Sequence, residues 1–538
     1  MDQLERNRRL TGAAAIVMVA TFMSRITGFL RTLLIYTRMR PGGYSDEFLM
    51  AFTLPDTIYD LLAGGAIAAA LIPVLSSYIT RGKERIGWKA VSTFMNLTIV
   101  FMVILEVVFF IWTDELLSVL AAGYNESSSG DKALLVDLTR ILLLSAPFMM
   151  LAGQCNGILN SYKRFAVAAF GPVIYNISTV ISIAIFGTVS PNATAWGVVA
   201  SAALFFCIQM AATIKHLSLY QPRLYLNSKA FRKMFSLAIP SLLSSFILEL
   251  NLMISRGYAT FFDEGMLTLL NNANRTWQLP LGIFAQSIGI AMLPTLSEHY
   301  ASNNGGEFSK VLNKGIRVVF LLSLPTSLFM MVLNQDIMRV LFKWGDLSES
   351  DVLYGGACLL AYASALIFAS MTALLNRAFY SIQDSRTPLL SGLVGIAANF
   401  LFNWFFRRFT PIGIAGTALS YSMASVVNMS VLVFAFHRKT GIHIIFDNGR
   451  YALRSLIATV PSGIAVFLFS VLIRPNTASK LSQIVCIAIP LAAGLSIFWY
   501  LCMKIRIPEI DTVNRMVLSG LKRVRSMFSR HEPTDVIK

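Results

Sequence analysis

Long uninterrupted apolar stretches recur along the chain from residue 11 to residue 503. Each is about 20 residues or longer, which is enough for a helix to cross roughly 30 Å of hydrocarbon. Strands of a membrane β-barrel would instead alternate polar and apolar residues over about 10 positions, and the continuous stretches do not show that alternation. The pattern therefore predicts an all-α polytopic membrane protein.

The apolar stretches predict about fourteen transmembrane helices. The predicted ranges are 11–36, 47–79, 90–113, 134–161, 166–187, 193–215, 234–260, 265–297, 313–334, 352–381, 387–406, 412–436, 451–473 and 482–503. Several exceed 25 residues, so we expect tilted helices or helices that extend beyond the bilayer.

Composition agrees with this class. Only 14% of residues are charged and the mean hydropathy is +0.64, whereas about a quarter of the residues in soluble domains are charged. The five cysteines lie in apolar segments without a CxxC pattern, so we expect free thiols. The five histidines are spaced in no zinc-binding pattern.

Positive charge concentrates in alternate loops. The basic segments are the N-terminal arm, the loops after the second, sixth and twelfth predicted helices, and the tail after residue 503. By the positive-inside rule, both termini face the cytoplasm. The same rule accounts for the net charge of +17 without nucleic acid. Arg407 and Arg408 are an exception, since this scheme places them outside.

The chain contains an internal repeat with an offset of about 220 residues. Segment 46–78 resembles segment 263–300, with Pro73 matching Pro294, and "ILNSYKRFAVAAFGP" resembles "AFYSIQDSRTPLLSG" at the same offset. The repeat predicts two six-helix lobes related by an axis along the membrane normal, an arrangement used by transporters that bind substrate between lobes.

The repeat also predicts domain boundaries. Residues 1–220 form an N-terminal lobe, 221–440 a C-terminal lobe, 441–503 two extra helices, and 504–538 a basic cytoplasmic tail. The tail contains "LKRVRSMFSR", which predicts a short amphipathic helix lying on anionic lipid.

Four arginines fall within predicted membrane helices: Arg25, Arg31, Arg256 and Arg275. A charge at mid-helix costs about 2.5–3.5 kcal/mol on insertion scales, so a function is expected. Guanidinium groups bind phosphate through paired hydrogen bonds, which favours an anionic substrate with several oxygens.

An alternative for these arginines is internal pairing. Arg25 or Arg31 would then pair with Asp56 or Asp60, and Arg256 with Glu249.

A second polar group consists of Glu249, Asn399, Asn403 and Thr417. Asn399 and Asn403 are four residues apart and share a helical face. Their oxygens, with the carboxylate, would suit Na⁺ or a proton. Hydrogen bonding between helices is the alternative.

Several motifs resemble the MurJ (MviN) family of bacterial lipid II flippases, which belongs to the multidrug/oligosaccharidyl-lipid/polysaccharide exporter superfamily. They are "SRITGFLR", "DEFLMAFTLP", "ALIPVLSSY", "ANRTWQLPLGIFAQSIGIAMLPTLSEHYAS" and "FYSIQDSRTPL". The resemblance implies a fourteen-helix inner-membrane fold with a central cationic cavity. It also implies transport of undecaprenyl-diphosphate-linked disaccharide-pentapeptide from the cytoplasmic to the outer leaflet.

The resemblance also implies site residues. The family's substrate-site positions carry over to Ser24, Arg25, Arg31, Asp46 and Arg275, and we add Arg256 from its place in the seventh predicted helix. The sodium ligands of some family members correspond to positions near Glu249, Asn399, Asn403 and Thr417. In those members, the second ligand from the eleventh helix is an acidic residue.

The chain departs from the family pattern at four positions. Tyr59 replaces a basic residue, Gly64 an acidic one, and Asn274 and Gln278, which flank Arg275, replace an aspartate and a glutamate. The salt bridges around the substrate must therefore differ, and Asn274 and Gln278 become candidate substrate contacts.

Other functions stay open at this point. They are a flippase for another undecaprenyl-diphosphate glycan of the O-antigen or capsule type, a cation-coupled drug exporter, a membrane glycosyltransferase, and a scaffold of the wall-synthesis machinery. The chain has no GxxxxGK[ST] loop, so Na⁺, H⁺ or the membrane potential would supply energy. We expect a transporter, not an enzyme, whose partners are lipid II, membrane lipids and the wall-synthesis machinery.

Overall fold

The structure is a computed structural model that describes residues 19–20, 23–61, 67, 70–126, 130–343, 348–473 and 479–510. Over these ranges the regular secondary structure is entirely helical, which confirms the predicted all-α class.

The first part of the chain forms eleven helices. Helix α1 spans residues 23–34 and continues into a π-helix, Ile35–Tyr44. The next ten are α2 Ser45–Ala51, α3 Thr53–Tyr59, α4 Ile72–Thr80, α5 Glu84–Ile111, α6 Thr113–Leu120, α7 Gly123–Glu126, α8 Lys132–Leu143, α9 Ser145–Ser161, α10 Phe165–Phe186 and α11 Pro191–Thr213.

Ten further helices follow a short 3₁₀ turn at Leu217–Leu219. They are α12 Lys229–Ala259, α13 Met266–Leu281, α14 Ser287–Ala301, α15 Gly305–Val332, α16 Asn334–Phe342, α17 Glu349–Ser381, α18 Arg386–Phe409, α19 Ala415–Thr440, α20 Ile444–Leu472 and α21 Lys480–Lys504.

Twelve helical spans in the described ranges are long and apolar enough to cross a membrane. They coincide with predicted helices three to fourteen. Predicted helices one and two include residues 11–18, 21–22, 62–66 and 68–69, which lie outside the described ranges. The total of fourteen therefore stays a prediction, and the multi-pass membrane class is confirmed.

The chain divides into two compact units. Unit 1 comprises Met1–Asn272, Leu341–Gly355 and Ile396–Ser420. Unit 2 comprises Ala273–Val340, Gly356–Gly395 and Tyr421–Lys538. These units group residues that pack together, and they differ from the two lobes predicted from the repeat. The predicted lobe boundaries at residues 220 and 440 stay a prediction.

Polar side chains mark several helix starts. Asp131 accepts a hydrogen bond from Leu134 N at 3.0 Å before α8, and Ser228 accepts one from Phe231 N at 3.0 Å before α12. Ser190 caps α11, whose first residue is Pro191. These caps satisfy backbone N–H groups that have no partner within the helix.

The core of unit 1 is built around Trp88, which is 1% exposed and donates from Nε1 to the Tyr162 hydroxyl at 2.8 Å. Helices α10 and α11 approach closely at Gly197, where an added Cβ would lie 1.8 Å from Ser182 Oγ. Small residues permit such close helix contacts in membranes, where apolar surface alone does not drive association.

Unit 2 has its own cores. In one, the rings of Phe379 and Phe436 meet edge to face with centroids 5.2 Å apart. In the α20–α21 pair, a Cβ added at Gly494 would lie 2.2 Å from Val466, so this glycine permits the close approach.

The two segments related by the predicted repeat share a helix irregularity. In the first, residues 60–61 and 70–71 are π-helical, after Pro55 and before α4. In the second, the π-helix Gly282–Gln286 follows Pro280 and precedes α14. Proline removes a backbone donor and disturbs the helical ladder. The duplication and its boundaries stay a prediction.

Candidate functional site

Arg25 is an exposed guanidinium on α1. It makes no hydrogen bond, ion pair or ring contact with any residue in the described ranges. The alternative of pairing with Asp56 or Asp60 is therefore not formed here. Arg25 lies inside a predicted membrane helix. Because its guanidinium is exposed and has no described partner, it is available to bind an anion.

Ser24, beside Arg25, is fixed to helix α10. Asn176 Nδ2 donates to the Ser24 carbonyl at 3.3 Å and lies 3.5 Å from Ser24 Oγ. Gly28, one turn along α1, faces the same amide, since a Cβ added at this glycine would lie 3.6 Å from Asn176 Nδ2. Asn176 therefore positions the part of α1 that carries Arg25.

Arg31 is partly buried between aromatic rings. Its guanidinium carbon lies 5.8 Å from the Phe52 ring centroid and 5.9 Å from that of Tyr175. Such contacts hold a cation in place without neutralising its charge. Arg31 thus remains a positive group, but a more restrained one than Arg25.

Arg256 lies among acidic groups of unit 1. Its Nη1 donates to Thr53 Oγ1 at 3.2 Å. The carboxyls of Asp60 and Glu249 lie side by side and both interact electrostatically with this arginine. This arrangement is close to the predicted alternative of internal pairing with Glu249, so Arg256 balances carboxylates inside the membrane.

Asp46 caps helix α13. Its carboxylate accepts hydrogen bonds from Gly265 N at 2.8 Å, Leu267 N at 3.3 Å and Thr268 N at 2.8 Å, and from the Thr268 hydroxyl. With four donors on two oxygens, the carboxylate has little capacity left for a substrate. In this structure Asp46 therefore positions the start of α13, and its direct contact with substrate stays a prediction.

The asparagine pair of α18 is used in helix packing. Asn399 is 0% exposed; its Nδ2 donates to Asn251 Oδ1 at 2.5 Å and lies 3.4 Å from Ser255 Oγ. Asn403 Nδ2 donates to Asn399 Oδ1 at 2.9 Å. These bonds match the alternative in which the asparagines join helices.

Glu249 faces away from that pair. Asn251 is two residues later on α12, about 200° around the helix. The carboxylate joins Asp60 while the asparagines contact the opposite side of α12. Thr417 is buried, and Asn403 Oδ1 is buried without a hydrogen-bond partner in the described chain. Glu249 thus does not join the predicted cation site in this arrangement.

The candidate residues of unit 2 surround a buried indole. Trp277 is 0% exposed, its ring is stacked on Tyr362 with centroids 6.0 Å apart, and its Nε1 donates to Asn274 Oδ1 at 2.8 Å. Exposed Gln278 donates to the same oxygen at 2.9 Å. Arg275, between them in sequence, is partly buried. Asn274 therefore orients Trp277 and Gln278.

The sequence interpretation missed Asn176, Asn251 and Thr268. Each is a polar residue whose importance depends on a distant partner: Ser24, Asn399 and Asp46 respectively. Isolated asparagines in apolar helices were the available signal, since such groups need partners in a membrane.

Of the departures from the family pattern, Tyr59 is partly buried in α3, and Gly64 lies outside the described ranges.

Comparison with known proteins decides the family. A family model described as "Lipid II flippase MurJ" matches residues 41–486, well over half of the chain. The chain belongs to the MurJ family. The predicted family is confirmed, and the family is one of transporters.

Curated MurJ relatives cover most of the chain. A protein of Vibrio cholerae named "Probable lipid II flippase MurJ" is 28% identical over 459 residues, covering 82% of this chain and 86% of the relative. A Burkholderia cenocepacia protein named "Lipid II flippase MurJ" is 28% identical over 434 residues, covering 79% and 83%.

Solved structures show the same fold. One titled "Lipid II flippase MurJ, inward closed conformation" has a TM-score of 0.73 at 22% identity, covering 90% of this chain and 99% of the other. An inward-facing multidrug resistance MATE transporter of the MOP superfamily has a TM-score of 0.65 at 14% identity, covering 80% and 98%. The MurJ fold is thus shared with MOP transporters.

Proposed function

We propose that the protein is a flippase for lipid II, the undecaprenyl-diphosphate-linked disaccharide-pentapeptide used to build peptidoglycan. It would carry this lipid from the inner to the outer leaflet of the bacterial cytoplasmic membrane by alternating access. Membership in the MurJ family supports the substrate, and the charged groups of unit 1 support the chemistry.

The observation that carries the proposal is the exposed guanidinium of Arg25, which no described residue neutralises. A permanent positive charge in a membrane helix is expensive unless it has a function. A diphosphate supplies several oxygens that accept paired hydrogen bonds from a guanidinium. Arg25 is therefore proposed as the primary ligand of the diphosphate.

The other arginines differ in their proposed roles. Arg31, held between Phe52 and Tyr175, adds fixed positive charge about 120° around α1 from Arg25. Arg256 mainly balances Asp60 and Glu249. We propose Arg275 as a further ligand by its match to the family's motif, with Asn274 and Gln278 as neutral neighbours that offer hydrogen bonds in place of the family's acids.

Asp46 and Ser24 support the site. Asp46 ties the start of α2 to the start of α13, and Asn176 ties Ser24 to α10. A substrate moves a carrier only if it binds one state better than another. We propose that breaking or forming the Asp46 cap accompanies that change of state.

The energy source is a further proposal. Na⁺, H⁺ or the membrane potential would reset the empty carrier. The buried Asn403 Oδ1 supplies one oxygen that a small cation would use, together with the Thr417 hydroxyl. The carboxylates of Asp60 and Glu249 form a separate acidic pair suited to a proton.

The orientation and surroundings of the protein follow from its charges. We propose that both termini lie in the cytoplasm, because the alternate basic loops fit the positive-inside rule. The basic tail after residue 503 would lie on anionic lipid. Contact with the wall-synthesis machinery would place the flippase where its product is consumed.

Genetic complementation tests the proposal. The chain would be expressed in a bacterium whose own lipid II flippase can be depleted. Growth and normal cell shape upon depletion are expected from the wild type and from Arg85→Ala, which removes an exposed charge at the start of α5. Arg25→Ala should be present in the membrane at normal levels but fail to support growth. Failure of the wild type despite normal insertion would contradict the proposed substrate.

A further inference from the structure

Glu106 is an isolated carboxyl on a membrane-spanning helix of unit 1. It lies on α5, which is among the spans long and apolar enough to cross a bilayer. In the described chain no hydrogen bond or ion pair reaches this carboxyl. Val103 and Val107 next to it are 46% and 50% exposed, so this face of α5 meets lipid. An ionisable group in this setting marks a function by default.

The carboxyl lines a groove whose other walls are apolar. The groove has a volume of about 520 Å³ and lies against α9 and α11. Its walls include Leu144, Phe148, Trp196, Val199 and Ala203. No residue used in the transport proposal lines it. The volume is within the range of small-molecule sites, so the groove would hold part of one lipid molecule.

The depth of the groove fits a phospholipid. Glu106 lies five residues before the end of α5, and Trp196 lies five residues after the start of α11, about 7.5 Å along each helix axis. Tryptophan prefers the level of the lipid headgroups. The groove then continues along α11 to Ala203, about 10 Å deeper, where an acyl chain belongs.

The charge of the groove selects the headgroup. Among the described residues that line the groove, Glu106 is the one ionisable group, so an anionic headgroup would be repelled and an ammonium group attracted. The rings of Trp196 and Phe148 add favourable faces for a cation. We propose that this groove is a binding site for a phospholipid with a primary ammonium headgroup, whose ammonium pairs with Glu106 and whose acyl chain lies between α9 and α11. This proposal is independent of the transported substrate.

Photocrosslinking in nanodiscs tests the site with the full-length chain. Two probes would carry the same diazirine-labelled acyl chain, one on phosphatidylethanolamine and one on phosphatidylglycerol. Labelling would be mapped to peptides containing residues 144–148 and 196–203. The wild type should label these peptides about three- to tenfold more with phosphatidylethanolamine, as expected for a charge-assisted contact.

Three variants separate headgroup recognition from groove occupancy. Glu106→Gln should lower the headgroup preference to about one while labelling persists. Ala203→Trp should fill the groove and remove labelling by both probes. Glu115→Gln, which removes an exposed carboxyl outside the groove, should behave as wild type.

The outcomes that would overturn the proposal are distinct. Equal labelling of the wild type by both probes, or an unchanged preference in Glu106→Gln, would refute recognition of the ammonium group. Absence of labelling in these peptides, with normal labelling of other lipid-facing peptides, would show that no phospholipid occupies the groove.

Discussion

The carboxylate of Asp46 accepts hydrogen bonds from both the backbone N–H and the side-chain hydroxyl of Thr268. The two residues are 222 positions apart in the chain. Through this contact the start of α2 holds the first turn of α13, the helix that goes on to carry Arg275. Substitutions at the cap should therefore affect transport without touching the proposed substrate ligands.

Asp46→Ala should reduce transport strongly and should also lower stability. Loss of a helix cap costs about 1 kcal/mol, and the cost here should be larger, at least about 1–3 kcal/mol, because buried donors lose their acceptor. Asp131→Ala is a matched control, because Asp131 caps α8 by the same type of bond. Both stability, from thermal unfolding in detergent, and lipid II transport would be measured. Equal transport by the two variants would contradict a special role for the Asp46 cap.

Arg256→Ala should destabilise the protein by about 1–3 kcal/mol, because Thr53 loses a charged hydrogen-bond donor and two neighbouring carboxyl groups lose a nearby positive charge. The charges left behind are those of Asp60 and Glu249. The double variant Arg256→Ala/Glu249→Gln should recover part of the loss in thermal stability. If Arg256→Ala unfolds like the wild type but no longer binds lipid II, its main role is as a substrate ligand instead.

Asn274→Leu should destabilise unit 2, because the buried Trp277 N–H loses its acceptor. An unsatisfied buried donor costs about 1–3 kcal/mol. Asn274→Asp, which restores the family's usual acid, keeps an acceptor in place and should retain stability. Thermal unfolding of the two variants checks this, and equal destabilisation would show that the hydrogen bond to Trp277 contributes little.

Asp384 gives a pH-dependent contribution to stability. Burial raises the pKa of its carboxyl, but hydrogen bonds from Lys439 and Thr387 outweigh this effect and hold the pKa below its usual value. Because the pKa is lower in the folded state, the contribution is present above about pH 4 and is lost as pH falls further. Asp384→Asn should therefore flatten the stability profile between pH 5 and pH 3, roughly the range in which this group titrates. An unchanged profile would contradict the assignment.

The membrane class and helix positions could be predicted because each span carries its own signal, about 20 apolar residues. The depth of Arg25 in such a stretch likewise marks it as a candidate functional charge, and this role stays a prediction. By contrast, the state of Arg256 depends on Asp60, and that of Asp46 depends on Thr268; each partner is about 200 residues away in the chain. Periodicity carries no information on such pairings.

The asparagine pair illustrates the same limit. Spacing correctly placed Asn399 and Asn403 on one face of α18, since Asn403 bonds to Asn399. It did not indicate that Asn251 and Ser255 would be their partners while Glu249 turns to the other side of α12. The rotation of α12 about its own axis decides which of its polar side chains contact the asparagines of α18, and the sequence spacing within α18 does not reveal that rotation.

Translocation in proteoliposomes tests the central claim most directly. Purified wild type, Arg25→Ala and Arg85→Ala would each be given lipid II or an undecaprenyl-diphosphate carrying an unrelated glycan. Exposure at the far leaflet would be followed with and without a Na⁺ gradient. We predict selective movement of lipid II by the wild type and by Arg85→Ala, and a loss of at least about tenfold in Arg25→Ala, as expected for a charge-assisted contact. Equal movement of the other glycan, or normal transport by Arg25→Ala, would contradict the account.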